Sequence, residues 1–262
     1  MISTEELERR LERAREHREE EPEFFHSLLD ATVYAHVPWS DDHHRLRLIQ
    51  FRHPDGFFAI PCFTSEAKAV FAAQSAARII ECTGRELLEM TRGAILMFNP
   101  NDGGCVLYPE EIDALLTTGT VARIEKITLT TDSPIVVSDL ADPPNWLMPT
   151  LMAVYTRLAI VETAYLLEVA SSVEPSQHTL LIVLAVAPEH AERAARATIT
   201  AVQPLCAQSQ LALDITTFDP ARGKPAYLRH PGVERFYGHA RPEDGGRASH
   251  GAPGPGNRDA TE

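Results

Sequence analysis

Phe57-Phe58-Ala59-Ile60-Pro61-Cys62-Phe63-Thr64-Ser65-Glu66-Ala67 constrains this chain more than any other stretch, because an apolar run of strand character gives way at once to an Ala-rich helical pattern. A strand stops and a helix starts within a few residues, so both elements share one module. Pro61 reads as the strand stop, Phe63 as a core ring, and Thr64 or Ser65 as the cap that accepts from the free backbone donors of a helix over 66–73. None of these residues offers obvious chemistry.

The pattern continues on both sides. Thr32-Val33-Tyr34-Ala35-His36-Val37 is β-branched and aromatic and reads as a strand. Residues 46–51 form a second strand, and His53-Pro54-Asp55-Gly56 is a turn that makes 57–62 its hairpin partner. A brief apolar run at 79–82 leads to a helix capped by Thr83. A buried strand over 94–98, a turn over 99–104, a short strand over 105–107 and a helix opened by Pro109 follow. These elements make one α+β domain over 22–120.

A second α+β domain spans 121–238. Residues 124–130 and 135–137 read as short strands, 146–157 as a helix, and 158–169 and 180–186 as strands joined by a polar turn at 174–177. An Ala-rich helix over 188–208 and a strand over 211–218 complete an antiparallel sheet covered on one side by two helices. The fold class is therefore α+β, and 262 residues at 44% hydrophobic can bury two modest cores.

The ends differ from the rest. Residues 1–21 form a charged helical arm in which Leu7, Leu11 and Ala14 draw one thin apolar line. Such a helix is expected to be solvated, with partner docking through Leu7 and Leu11 as the functional alternative. Residues 239–262 carry no apolar residue larger than Ala or Pro and are expected to be disordered.

Composition excludes several classes. A formal charge of -13 and a pI near 5.3 oppose binding to nucleic acid or to an anionic membrane surface, since both draw affinity from Lys and Arg. Without a basic start followed by an apolar segment, or any run long enough to span a bilayer, the chain is expected to be cytoplasmic. Four cysteines stand far apart without a Cys-x-x-Cys pair, which favours buried free thiols over a zinc or redox site.

Candidate chemistry is sparse. Asp41-Asp42-His43-His44 has metal-ligand residue types, but adjacent residues of an extended segment point to opposite sides, so a solvated loop is the expectation. Asn99 to Gly104 bears glycines, yet a strand rather than a helix follows and no Lys is present, which indicates a turn and not a phosphate cradle. Cys62 lies between Ile60 and Phe63 and is expected to be buried and unreactive. His36, His53, His178 and His230 are scattered, and no Gly-x-Ser-x-Gly occurs. No catalytic, cofactor-binding or metal-binding residue is assigned. Phe236 and Tyr237 read as closing the second core, with an aromatic contact for a partner as the alternative.

Assembled in order, Tyr34-Ala35-His36-Val37-Pro38, Phe58 to Ser65, Leu96-Met97-Phe98-Asn99-Pro100 and Leu107-Tyr108-Pro109-Glu110-Glu111-Ile112 resemble the N-terminal domain of the SseB family, the enhanced serine sensitivity proteins of bacteria. The second half is similar to the family's C-terminal domain through Pro143-Pro144, the helix after it, the paired strands and Arg235-Phe236-Tyr237. Arg235 stands where the family pattern has Pro. The resemblance implies a cytoplasmic bacterial protein without an established catalytic mechanism, and it carries over no active-site residues. The expected function is that of a non-enzymatic interaction or regulatory protein with an acidic face suited to a basic protein partner. A small-molecule sensor or minor enzyme of amino-acid metabolism is the alternative implied by the family's name. Association with a secretion apparatus follows from a shared name alone.

Overall fold

The computed structural model describes residues 2–39, 46–123, 135–138, 143–171, 178–209, 211–229 and 232–238. The Asp41, Asp42, His43 and His44 cluster, the strand expected over 124–130, the turn at 174–177, His230 and the tail from 239 lie outside the described residues.

The first unit runs α1 (Thr4–Glu16), α2 (Glu21–Leu29), β1 (Thr32–Val37), β2 (Phe51–Arg52), β3 (Phe58–Phe63), α3 (Glu66–Ala73), β4 (Arg78–Thr83), α4 (Gly84–Met90), β5 (Leu96–Phe98), β6 (Cys105–Leu107) and α5 (Pro109–Thr118). Its sheet has the order β4-β1-β3-β5-β6, with β2 on β3. All pairings are antiparallel except β3 with β5. Val33, Ala35, Ile60, Cys62, Leu96, Phe98 and Leu107 put one face of the sheet into a core with α1, α2, α4 and α5.

Three sequence expectations change here. Residues 46–50 are not a strand. From Ile60 onward β3 is committed to β1 and β5, so only Phe58 and Ala59 remain for β2. Pro61 does not end its strand; it lies within β3, opposite Met97. Ile60 and Cys62 direct their backbone groups to β5, through Ile60 N–H to the Ile95 carbonyl and the Cys62 carbonyl to Asn99 N–H. The missing donor of Pro61 therefore falls on the β1 side. There the His36 carbonyl accepts from Ile49 N–H at 2.9 Å instead, so Pro61 stops the β1 ladder and not the strand.

The third change concerns α1, which is no solvated arm. Leu7 is 0% and Leu11 2% exposed, and both sit with Ala14 against Phe24, Phe25 and Leu28 of α2. A stripe at positions i, i+4 and i+7 is narrow, but it matches the gap beside α2. Outside that line Glu6 pairs with Arg9 and Arg10, while Glu8 and Arg15 turn toward the rest of the unit.

The second unit runs β7 (Ile135–Ser138), α6 (Leu147–Leu158), β8 (Val161–Ser171), β9 (His178–Val186), α7 (Ala191–Ser209), β10 (Leu213–Phe218) and β11 (Arg235–Gly238). The sheet order is β10-β9-β8-β11, with β7 also on β8. Because β9 takes one edge of β8 along nearly its whole length, β7 and β11 share the other edge end to end. The sheet is antiparallel apart from β9 with β10, which α7 joins as a parallel crossover. α6 and α7 cover one face over Ala164, Leu166, Ile182 and Leu184. The other face, with Tyr165, Leu167, Leu181 and Val183, is closed by Leu228. Burial on both faces explains why the sequence of β8 shows no clean alternation.

Candidate functional site

α3 is seated on the sheet face opposite the main core. Ser65, not Thr64, caps it by accepting from Lys68 N–H at 3.4 Å. The buried His36 ring bonds through Nε2 to the Ala69 carbonyl at 2.9 Å and lies against Phe63 at 4.7 Å between ring centroids. Ala69 and Ala73 face inward. Val70 and Phe71 consequently face out, 55% and 72% exposed.

The end of α3 is unusual. Gln74 and Ser75 follow in succession at φ 44° and 64°, left-handed values that non-glycine residues seldom adopt. This turn presents the Ser75 carbonyl to the Trp39 indole N–H at 2.8 Å. Trp39 is 62% exposed, and Phe71 lies one helical turn before Ser75. A tryptophan, a phenylalanine and a valine thus stand in water at one end of a rigidly seated helix.

Thr64 serves a different purpose from the cap expected of it. Its N–H donates to Asn99 Oδ1 at 3.1 Å, and its hydroxyl accepts from Asn99 Nδ2 at 2.8 Å and donates to Glu8 at 3.0 Å. Lys68 Nζ then joins Glu8 at 3.0 Å to Asp102 at 2.9 Å. Burial disfavours the Glu8 carboxylate, but the Lys68 and Thr64 hydrogen bonds outweigh it and hold its pKa below the ordinary value. The Lys68 hydrogen bond does the same for Asp102. Every partner in this knot is used, which suits structure rather than catalysis. The turn over Asn99 to Gly104 is confirmed as a turn, leading into β6.

The two units meet along α5 and α7. Arg196 Nε bonds the wholly buried Glu111 at 2.7 Å, while Glu111 also accepts from Tyr108 N–H at 3.0 Å. Arg193 forks onto Glu110 at 2.8 and 3.3 Å. Arg123 and Gln203 exchange two hydrogen bonds at 2.9 Å each. Burial pushes the Glu111 carboxyl up, and the neighbouring Arg196 charge opposes that push. Beside this contact a cleft of about 440 Å³ opens between α1, α2 and α7.

The residues singled out in the sequence do not gather into one site. Leu7 and Leu11 are core and cannot meet a partner while α1 is docked. Phe236 and Tyr237 pack on the buried Tyr155 at 6.2 and 5.4 Å between centroids, closing the second core. Cys62 is buried and its thiol lies well above the ordinary range, while burial lifts Cys82 to about 11 and Cys105 to about 12. His53 stacks on Phe57. Among the described residues no group of three or more His, Cys, Asp or Glu could hold a metal ion, and no helix is long and apolar enough to cross a membrane. No sequence pattern singles out Trp39, whereas Val70 and Phe71 lie off the Ala69 to Ala73 line that marks the inner face of α3.

Residues 7–114 match the family model described as the SseB protein N-terminal domain. Over 186 residues the chain is 28% identical to Protein SseB of Escherichia coli (strain K12), covering 68% of this chain and 70% of that protein. The same figures hold for Protein SseB of Shigella flexneri. No solved structure matches. The matched span contains the buried stripe of α1, the Thr64 to Asn99 knot and the Glu111 end of the contact between units, and over this span the chain is similar to the SseB protein N-terminal domain.

Proposed function

We propose that this protein is a non-enzymatic interaction or regulatory protein of the bacterial cytoplasm, and that it works by docking another protein on the end of α3. The observation that carries the reading is the exposure of Val70 and Phe71 on a helix held in place from beneath by Ala69, Ala73 and the His36 hydrogen bond, together with Trp39, which is tied to the turn after that helix. Large aromatic side chains dominate the energetics of protein contacts, and a rigid support lowers the entropy lost when they are covered.

The partner should bring an apolar surface rimmed with basic groups. Glu66 on α3 and Glu81 on β4 are exposed and near enough for both to act on Tyr34, whose pKa is raised first by burial and then by these two charges. The net charge of -13 adds long-range attraction for such a partner. The test is affinity purification with the full chain from extract of its own host, run over a range of salt, beside the Trp39→Ala, Phe71→Ala double variant. The natural chain should retain a stoichiometric partner that the variant loses, while the variant's Tm stays within about 2 °C. No stoichiometric partner at any salt, or equal recovery by the variant, refutes the proposal.

A further inference from the structure

We propose that the cleft between the two units binds a small zwitterion, with its carboxylate on Arg15 and its protonated amine on Glu21. This goes beyond a protein-docking role and rests on different residues. The cleft, of about 440 Å³, has α1 and α2 on one side and α7 on the other. That size is in the range of ordinary small-molecule sites.

Arg15 lines the cleft and is only partly satisfied. Its Nη1 meets Glu12 at 2.9 Å, whereas Nε and the other terminal nitrogen, Nη2, are buried without a hydrogen-bond partner. Those two nitrogens form the edge of a guanidinium that grips both oxygens of a carboxylate. An unmet buried donor is costly, and a ligand that supplies two acceptors removes the cost.

Glu21, at the start of α2, also lines the cleft and makes no hydrogen bond or ion pair among the described residues. It does not pair with Arg15, although Glu21, Arg15 and Arg196 all bear on the Cys105 thiol. Glu21 also acts through space on Arg196, but no ion pair joins it to Arg15, so these two opposite charges flank one cavity without direct contact. Arg196 is not the anion site, because Glu111 and Glu192 already hold it. Asp55 and Glu192 add negative charge to the lining, which repels a polyphosphate and leaves a molecule carrying both signs as the ligand that balances the walls.

The test is calorimetric titration of the full chain with ω-amino acids from glycine to 6-aminohexanoate, which act as a ruler for charge separation. Hexanoate and hexylamine serve as single-charge controls. One length should bind at least ~10-fold tighter than either control. Arg15→Met should weaken that binding at least ~10-fold without lowering Tm, because its ion-pair partner Glu12 is exposed and stays solvated while two unmet buried donors are removed. Glu21→Gln should bring the zwitterion's affinity down to that of hexanoate. If no probe binds below about 10 mM, or hexanoate binds as tightly as every zwitterion, the inference fails. Should Arg15→Met not fold, Arg15→Lys keeps the charge and loses the fork. Unchanged affinity in both Arg15→Lys and Glu21→Gln overturns the assignment as well.

Discussion

Asn99 is almost wholly enclosed at φ 49°, and both ends of its amide are engaged, the oxygen by Thr64 N–H and the nitrogen by the Thr64 hydroxyl. Its own backbone N–H closes β3 against β5 through the Cys62 carbonyl. Asn tolerates the left-handed region better than most residues, and here its side chain also bridges two strand ends. Replacing it with Ala leaves the buried Thr64 N–H without an acceptor, at about 1–3 kcal/mol, and gives up the local hydrogen bonding that lets Asn tolerate left-handed geometry, at about 1 kcal/mol. Asn99→Ala should therefore lose about 2–4 kcal/mol in urea denaturation. Asn99→Gly should recover only the backbone part. A loss below about 1 kcal/mol for the Ala variant would mean that the amide is not a principal tie of β3 to β5.

At the scale of elements, the sequence carried what local periodicity can carry. The bounds of α3, the pairing of β8 with β9, and the Pro109 start of α5 all follow from caps, turn residues and apolar runs. It could not carry who covers whom. α1 has only three apolar residues in its buried line, and what decides their fate is the apolar flank of Phe24, Phe25 and Leu28, which lies in another element. The tolerance of Pro61 likewise depends on Ile49, distant in sequence, meeting the His36 carbonyl. The outward face of α3 was hidden for a related reason: Val70 and Phe71 look like core residues until the seat of Ala69 and Ala73 is known.

The docking of α1 has a dependence on pH that a solvated arm would lack. Glu8 and Asp102 both have pKa values below their ordinary 4.5 and 3.8. A depressed carboxylate contributes stability that is present above its unfolded value and is lost as pH falls through the folded value. Between about pH 5 and pH 3, the ties of Glu8 to Lys68 and Thr64 should therefore weaken. Amide hydrogen exchange followed by mass spectrometry should show α1 losing protection over this window before β8 and β9 do. Lys68→Met should shift that loss to higher pH, because Glu8 then loses the hydrogen bond that offsets its burial. Equal behaviour of α1 and the β8 and β9 strands, in both proteins, contradicts the mechanism.

For the whole molecule, the decisive contact is Glu111 with Arg196, because it is the buried ion pair that joins one unit to the other. A buried pair is a poor source of net stability but a strong constraint, since breaking it strands a charge. Glu111→Ala leaves Arg196 with the longer ion pair to Glu192, at 3.6 Å, and the face of the Tyr108 ring, and removes the acceptor for Tyr108 N–H at the start of α5. The expected loss is about 3–5 kcal/mol, read from urea unfolding, together with separation of the single transition into two as the units uncouple. Arg196→Met should cost a similar amount at pH 7, and its penalty should shrink in acid. Burial already raises the Glu111 pKa, and without Arg196 only the Tyr108 N–H hydrogen bond opposes that rise. The stranded carboxylate then takes a proton as pH falls through the raised value, which relieves the cost. The double variant Glu111→Leu, Arg196→Leu should regain most of the loss, short of about 1 kcal/mol for the missing cap. A coupling energy near zero in that cycle would assign the joining of the units to Arg193 with Glu110 and Arg123 with Gln203 instead.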